Sequence, residues 1–381
     1  MGQGRDGEWQ QWRAQRPPSR QIHLDTAAAG RSSAETLRVT AAHAEREAVV
    51  GAYVAQAEAA PVLAEGRTAL AGLLGVAADG LAFTESATAA RDALLAAWPL
   101  PAGGTVAVAP SEWGPNLFAF SSRGLTLTEL AVGGDGAVDL ERLASLLADQ
   151  PPDLVHLTQV ASHRGLVQPV AAAAALCRAA GVPLWVDAAQ ALGHADAATG
   201  ADAVYATSRK WLAGPRGVGL LGVAEPGWDQ LLVSASPLEL SSLPDGSSPV
   251  RLLESHEANV AGRVGLCAAV RQHLEAGPAR VRQRLAEVGQ LTREILTGLP
   301  GWGVAGPADA PAAITGLRPS AGQDVAGVRA RLLAEHAILT TAAHPARAPR
   351  DMTGPLLRVS PHVDVTTDDL GRLRDALAAM S

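Results

Sequence analysis

Short apolar segments alternate with helical segments along most of this 381-residue chain, and this alternation restricts the fold more than any other feature. The predicted strands lie at residues 80–84, 105–108, 154–158, 184–186, 203–205 and 217–223. These strands are apolar throughout, which indicates burial on both faces, as for parallel strands in a sheet that helices cover on two sides. With helices between them, such as 89–97 and 170–180, the pattern predicts an α/β fold with a mostly parallel sheet.

The sequence divides into three regions. Residues 1–20 are polar and charged and lack the apolar centre of a signal peptide, so we expect a flexible tail. Residues 21–265 are predicted to form a large domain that contains the sheet, and residues 266–381 a smaller C-terminal α/β domain. Helical periodicity covers residues 34–75 in the large domain and about 260–298 at the junction.

Charge and cysteine content limit the partners and the compartment. The net charge of −7 at pH 7, without a basic cluster, argues against binding to nucleic acid or to an acidic membrane surface. No apolar run is long enough to span a bilayer. Cys177 and Cys267 are the two cysteines, which cannot build a disulfide framework, so we expect a cytoplasmic protein. No metal site is predicted.

Lys210 is the only lysine in the chain, against thirty arginines. A lysine amine can lose its proton and bond covalently to a carbonyl carbon, whereas a guanidinium stays charged and is a poor nucleophile. A single lysine could also be a chance survivor on a solvated surface. Its surroundings, Tyr205 to Pro215 directly after a predicted strand, favour the covalent role.

Asp187 follows another buried strand, in the segment Val186 to Gln190. In such sheets, ligands bind at the carboxyl ends of the strands. An acid and a lysine on neighbouring strand ends suit pyridoxal phosphate, because the acid keeps the pyridine nitrogen protonated and the lysine holds the aldehyde carbon. An aspartate that only caps the next helix is the alternative.

Phosphate and ring contacts have candidates of their own. Ser86 to Thr88 open a helix after a strand and could cradle a phosphate, although an ordinary helix cap fits equally well. Thr207 and Arg209, beside the lysine, could add a hydroxyl group and a positive charge. Trp113 follows another strand and could stack on the cofactor ring, although a lone tryptophan is more often a packing residue.

Six segments together resemble the class V aminotransferase family of fold-type I pyridoxal-phosphate enzymes. In chain order they are TESAT, SEW, SHRG, VDAAQALGH, TSRKW and LRVSPH. The resemblance covers nearly the whole chain from about residue 22. It implies a large domain with a mostly parallel, seven-stranded type of sheet, a small C-terminal domain, and a homodimer with its active sites at the interface.

The resemblance also assigns cofactor-binding residues at the matching motif positions. It implies that Lys210 bonds covalently to the cofactor, that Asp187 pairs with the pyridine nitrogen, and that Trp113 stacks on the ring. Gln190 and Ser162 stand where the family hydrogen-bonds the phenolate oxygen of the cofactor.

The phosphate and the substrate receive assignments in the same way. The phosphate would lie among Ala87, Thr88, Thr207 and Arg209, and Arg358 would grip the substrate α-carboxylate with its planar fork. Two positions depart from the family pattern. Arg209 replaces a histidine that many members have before the lysine. His256 and Glu257 stand where many members have Gly-Thr at the partner's phosphate. An acid near a phosphate is unfavourable, so we assign Glu257 no cofactor role, and this segment could face the substrate instead.

Within this family, the segments EWGPN, TSRKWLAGPRGVG and EANVAGRVG are similar to the carbon–sulfur lyases of ergothioneine biosynthesis. This similarity implies β-elimination of hercynylcysteine sulfoxide to ergothioneine, pyruvate and ammonia, with Lys210 as the general base. The quaternary ammonium of such a substrate could contact Trp113, Trp211 or Tyr53.

Other activities differ in how well they fit. A cysteine desulfurase needs a cysteine on the loop before the C-terminal arginine, and residues 340–354 contain none. Amino transfer or epimerisation by the same cofactor stays open, as does a protein that binds the cofactor without catalysis. A dinucleotide-dependent oxidoreductase is disfavoured, because no Gly-x-Gly-x-x-Gly follows a strand.

Overall fold

The computed structural model describes residues 3–234, 236, 246–255, 257–320 and 322–380. The flexible tail expected at residues 1–20 is instead a helix over Gln3–Ala14, followed by a two-residue strand, β1 (Ile22–His23). Trp9 and Trp12 of this helix are buried, so their apolar area anchors a segment whose composition is otherwise polar.

The first helix also reaches the C-terminal part of the chain. Arg13 donates from Nη2 to Asp369 Oδ2 at 2.6 Å, and the Trp12 ring stacks on His362 with centroids 5.2 Å apart. His362 Nε2 in turn lies 3.1 Å from the carbonyl oxygen of Trp211, the residue after Lys210. Aromatic contacts therefore connect the first helix to the lysine loop.

The central sheet has seven strands in the order β2-β8-β7-β6-β5-β3-β4. The strands are β2 (Leu81–Thr84), β3 (Thr105–Val108), β4 (Thr126–Glu129), β5 (Leu154–Thr158), β6 (Leu184–Asp187), β7 (Ala203–Thr207) and β8 (Gly219–Val223). Only β8 pairs in antiparallel fashion with its neighbours, so the prediction of a mostly parallel α/β sheet is confirmed.

Helices cover the sheet on both faces. They span Ala34–Val50, Ala52–Leu74, Ala87–Ala97, Gly114–Ser122, Leu140–Asp149, Val170–Ala180, Glu225–Trp228 and Val260–Ala276. Alternate residues of a strand pack into the apolar clusters on opposite faces of the sheet. In β5, Val155 and Leu157 belong to one cluster and Leu154 to the other. Both faces of the sheet are therefore core, which explains strands without polar alternation.

The C-terminal part contains a four-stranded antiparallel sheet in the order β12-β13-β10-β9, while β11 pairs with β1. These strands are β9 (Trp302–Ala305), β10 (Thr315–Pro319), β11 (Ile338–Leu339), β12 (Thr341–Ala343) and β13 (Leu356–Val359). The helices here span Pro278–Leu296, Val325–His336 and Thr367–Ala378. The expected boundary after residue 265 falls inside the helix Val260–Ala276, and the division into two domains stays a prediction.

Across the described ranges, no helix combines the length and the apolar character that crossing a membrane requires.

Candidate active site

A cavity lies at the carboxyl ends of three adjacent parallel strands. Thr158, Asp187 and Thr207, the last residues of β5, β6 and β7, all line it, and we call them the strand-end wall. The predicted site residues that line the same cavity are Ala87, Thr88, Trp113, Ser162, Asp187, Gln190, Thr207, Arg209 and Lys210. The topology thus brings together residues that the sequence separates by more than a hundred positions.

Lys210 presents an amine that is easy to deprotonate. Burial lowers its pKa to about 7; the Asp187 carboxylate opposes this shift, while Arg209, Arg358 and Arg347 add to it. Among the described residues, no carboxylate forms an ion pair with this amine. A large fraction of the amine is therefore neutral near pH 7, which is the form that attacks a carbonyl carbon.

The loop that carries Lys210 is fixed through Gly30. The Gly30 amide donates to the Arg209 carbonyl oxygen at 2.7 Å, and a Cβ at Gly30 would collide with the Lys210 carbonyl oxygen. Ala213 closes the turn in the left-handed region, with φ 53°, and donates to the Lys210 carbonyl at 3.0 Å. A glycine at position 30 is therefore required by close backbone approach.

Asp187 is held in place by two donors. Asn116 Nδ2 donates to its Oδ2 at 3.0 Å, and the backbone amide of Ala189 donates to its Oδ1 at 2.9 Å. Together the two bonds fix the orientation of the Asp187 side chain. The side chain is almost fully buried but faces the cavity.

Behind Asp187 lies a buried polar network that sequence reasoning missed. Glu112 is fully buried and accepts from Asn116 Nδ2 at 2.9 Å and from the Thr158 amide at 3.0 Å. His156 Nδ1 lies 3.0 Å from Glu112 Oε2, and His156 Nε2 lies 2.8 Å from the Tyr205 hydroxyl. Only two signs of this network are visible in the sequence: Glu112 and Asn116 lie four residues apart, and His156 lies inside a mainly apolar strand.

The network keeps Glu112 ionised. Burial raises the pKa of Glu112, but the charge interaction with His156 and the hydrogen bonds from His156, Thr158 and Asn116 outweigh it and leave the pKa below its ordinary value. Burial moves the pKa of the Tyr205 hydroxyl well above its ordinary value, so this group stays protonated. A fixed negative charge therefore stands one asparagine away from Asp187.

One end of the cavity is suited to an anion. Ser86 caps the helix Ala87–Ala97, since its Oγ accepts from the Ala89 amide at 3.0 Å. The first amides of this helix, at Ala87 and Thr88, have no partner within the helix and lie at the cavity. Thr207 and Arg209 line the same cavity with a hydroxyl group and a guanidinium.

Gln190 joins the cavity to the residue after the lysine. Its Nε2 donates to the Ala27 carbonyl oxygen at 2.9 Å, and its Oε1 accepts from Trp211 Nε1 at 2.9 Å. The amide nitrogen keeps a second hydrogen for a ligand. Trp211 is fully buried behind Gln190, and Tyr53 is 80% exposed on the helix Ala52–Leu74. Of the three aromatic candidates for a substrate cation, Trp113 alone lines the cavity.

Arg358 lies behind the cavity and does not line it. The guanidinium is fully buried and donates from Nη2 to Asp25 Oδ1 at 3.0 Å and to Thr341 Oγ1 at 3.2 Å. Its Nη1 donates to the Ser162 carbonyl oxygen at 3.2 Å, and burial lowers its pKa to about 10. The predicted carboxylate-binding arginine therefore already has a carboxylate partner, and its role toward substrate stays a prediction.

Two positions that depart from the family pattern are residues 256 and 257. His256 lies outside the described residues, and Glu257 is exposed, with its carbonyl oxygen accepting from Ser255 Oγ at 3.1 Å.

These groups fit pyridoxal phosphate. Free helix amides, two threonines and Arg209 suit the phosphate, Asp187 suits a protonated ring nitrogen, and Lys210 is a deprotonatable amine between them. The fold and the site together define a pyridoxal-phosphate-dependent enzyme. The chain belongs to the class V aminotransferase family, whose model, Aminotransferase class-V, matches residues 22–373, and its cofactor is pyridoxal phosphate.

Similar proteins support this classification. The chain is 48% identical to a "Probable hercynylcysteine sulfoxide lyase" from Mycobacterium tuberculosis, over 97% of this chain and 92% of that protein. It is 32% identical to an isopenicillin N epimerase from Amycolatopsis lactamdurans, over 84% and 85% of the two chains.

Solved structures show the same fold at lower identity. The cysteine desulfurase CsdA from Escherichia coli has a TM-score of 0.83 and 21% identity over 98% of each chain. The cystine C–S lyase C-DES, in complex with cysteine persulfide, has a TM-score of 0.82 and 18% identity over 94% of this chain and 98% of that one.

Proposed function

We propose that this protein is a carbon–sulfur lyase that cleaves hercynylcysteine sulfoxide by β-elimination, yielding ergothioneine, pyruvate and ammonia. The observation that carries this proposal is the 48% identity, over 97% of the chain, to the probable hercynylcysteine sulfoxide lyase. Lys210, an amine with a lowered pKa and no ion pair among the described residues, provides the base that such a reaction needs, and Asp187 lines the same cavity as a partner for the ring nitrogen of the cofactor.

The residues divide the chemistry between them. Bound pyridoxal phosphate supplies an electron sink for the carbon that bears the amino group. Lys210 would take the Cα proton of the substrate, and its lowered pKa suits a base near neutral pH. Asp187 holds the ring nitrogen protonated, and Asn116 and the Ala189 amide orient that carboxylate.

The bond between Cβ and sulfur then breaks, and its electron pair leaves with sulfur as a sulfenate. The remaining three-carbon fragment hydrolyses to pyruvate and ammonia, and a thiol reductant converts the sulfenate to ergothioneine. We assign Gln190 and Ser162 to the phenolate oxygen of the cofactor, Trp113 to its ring face and Arg358 to the substrate α-carboxylate.

Persulfide transfer, the reaction of desulfurases, does not fit the cysteines. Cys177 and Cys267 are both buried, and burial raises the pKa of their thiols to about 12 and about 11. Neither thiol provides a nucleophilic thiolate at neutral pH.

The proposal includes a cytoplasmic homodimer. Buried, unpaired thiols suit a reducing compartment. Val49 and Tyr53 are 77% and 80% exposed on consecutive helices, and such exposed apolar side chains suit a contact with a second copy.

Epimerisation or amino transfer on another amino acid is the second candidate. The 32% identity to an isopenicillin N epimerase favours it, because the same base and electron sink also permit Cα inversion.

Pyruvate release distinguishes the two functions. The cofactor-loaded protein is incubated with hercynylcysteine sulfoxide and a thiol reductant, without any keto acid, and pyruvate is measured with lactate dehydrogenase. We expect stoichiometric pyruvate and ergothioneine. A protein that retains the visible band of the lysine-bound cofactor but releases no pyruvate would contradict the lyase and leave epimerisation or amino transfer.

A further inference from the structure

We infer that Arg347 binds the second carboxylate of the substrate, the one remote from the reacting cysteine carbon. This inference rests on the proposed function, because hercynylcysteine sulfoxide carries one carboxylate on its cysteine half and another on its betaine half. Three features of the structure point to Arg347: its place in the cavity, a guanidinium without an ion pair or hydrogen bond to the described residues, and the loop that positions it.

Arg347 lines the cavity with Trp113 and Lys210 and is half-buried. Its guanidinium carbon lies 5.5 Å from the centroid of the Trp113 ring. Within the ranges that the structure describes, this guanidinium forms no ion pair and no hydrogen bond. Two nearby arginines differ, since Arg164 pairs with Asp351 at 2.6 Å and Arg350 lies 3.7 Å from Glu129.

The other guanidinium groups around Lys210 have assignments already. Arg358 is held by Asp25, and Arg209 lies at the end of the cavity suited to phosphate. Burial also lowers the pKa of Arg347, which indicates that its charge is partly desolvated. A planar guanidinium in this state gains more from a carboxylate than a solvated one, because paired charges interact more strongly at low dielectric.

The Arg347 loop (residues 344–354) is held firmly enough to aim this side chain. Asp351 Oδ2 accepts from Arg164 Nε at 2.6 Å and lies 2.6 Å from His163 Nε2. Ala348 and Met352 of this loop are buried in a small apolar cluster with Ala305, Ala343 and Leu356. A Cβ at Gly114, the residue after Trp113, would collide with the Ala346 carbonyl oxygen, so the loop packs directly on the cavity wall.

The test compares Arg347→Gln with Arg350→Gln, an arginine three residues away on the same loop that does not line the cavity. Each cofactor-loaded variant is assayed for pyruvate with hercynylcysteine sulfoxide and with S-methylcysteine sulfoxide, which has no second carboxylate. We expect Arg347→Gln to lower kcat/KM on the first substrate by on the order of 10- to 100-fold, mainly through KM. We expect less than about threefold change on the second substrate, and in Arg350→Gln on either.

Binding of the product gives a readout that needs no turnover. Ergothioneine and its methyl ester are titrated against the cofactor-loaded proteins by tryptophan fluorescence. Arg347→Gln is expected to weaken ergothioneine by about tenfold or more while leaving the ester unchanged. Equal losses on both ligands, or no loss on either, would overturn the inference. Wild-type protein that binds ergothioneine through Arg347 but releases no pyruvate would instead contradict the proposed lyase.

Discussion

Asp187 and Arg347 face the same cavity, but the structure holds them in different ways. Asp187 ends a buried strand, and Asn116 links it to Glu112, which is fully buried. Arg347 stands on a loop whose backbone is fixed, while its guanidinium forms no ion pair and no hydrogen bond with the described residues, although the more distant Asp25 carboxylate still stabilises its charge. The strand-end wall is thus preorganised for one reaction, and the Arg347 loop leaves a charge available for recognising a substrate.

The largest expected effect comes from the strand-end side. Lys210→Ala should remove the visible band of the lysine-bound cofactor and lower pyruvate release by at least about 10³-fold, because both the covalent attachment and the base are lost. Lys210→Arg is the matched control, since it keeps the positive charge without a nucleophilic amine. Substantial turnover in either variant would mean that another residue is the base.

Glu112→Gln tests whether the buried network supports the wall. It removes a buried charge with five hydrogen bonds: from the Trp113 and Thr158 amides, from the Thr158 hydroxyl and from the Asn116 and His156 side chains. We expect a loss of about 3 kcal/mol in the free energy of unfolding by urea, and lower kcat through a less well oriented Asp187. Glu35→Gln, in an exposed pair, should change stability by less than about 1 kcal/mol. Equal losses of unfolding free energy in the two variants would show that the buried network adds no more stability than an exposed ion pair.

The same variant has a predicted pH signature. The pKa of Glu112 is lower in the folded protein than its ordinary value of 4.5. Its stabilisation is therefore complete above pH 4.5 and is lost as the pH falls through the folded-state pKa. Glu112→Gln should lose this part of the acid dependence. A wild-type and a variant protein with parallel stability curves below pH 4.5 would contradict the assignment.

Cofactor loading should follow the pKa of Lys210. With a pKa of about 7, the neutral fraction of the amine rises about tenfold between pH 6 and pH 8, whereas an amine at 10.5 would gain about a hundredfold. The rate at which the visible band forms on the cofactor-free protein should therefore rise about tenfold and level off near pH 8. A continuous hundredfold rise would show an unshifted lysine.

The smallest expected effect lies on the loop side. Asp351→Asn weakens the contacts with His163 and Arg164 that hold the Arg347 loop. We expect KM for the sulfoxide to rise roughly three- to tenfold with little change in kcat, because the strand-end wall is untouched. If Asp351→Asn mainly lowered kcat instead, the loop would also position the groups around Lys210.

Most of the fold could be predicted from the hydrophobic pattern of the sequence, because the buried strands of this sheet are continuous apolar segments. β4 was missed because Thr126–Glu129 is a polar strand at the sheet edge, without the continuous apolar run of its neighbours. The single helix expected at about 260–298 is two helices. Gly277, with φ 82°, and Pro278 at the next helix start divide it.

The site was predicted in part for similar reasons. Asp187 ends β6 and Lys210 follows the end of β7 by three residues, so the local pattern was enough to predict that both lie at one edge of the sheet. Glu112 lies after β3, His156 on β5 and Tyr205 on β7, so these residues meet only when the sheet has formed, and no local pattern encodes their contacts. The lack of an ion pair at Arg347 also could not be predicted, because it depends on which carboxylates pair with the other arginines in the folded protein.

The contact between the first helix and the lysine loop has a practical meaning. Trp12 lies against His362, and His362 holds the carbonyl of Trp211, so a chain of two rings separates the amino-terminal helix from the residue after Lys210. A tag or fusion partner attached next to this helix could therefore disturb the Trp12–His362 contact and, through it, the loop that carries Lys210.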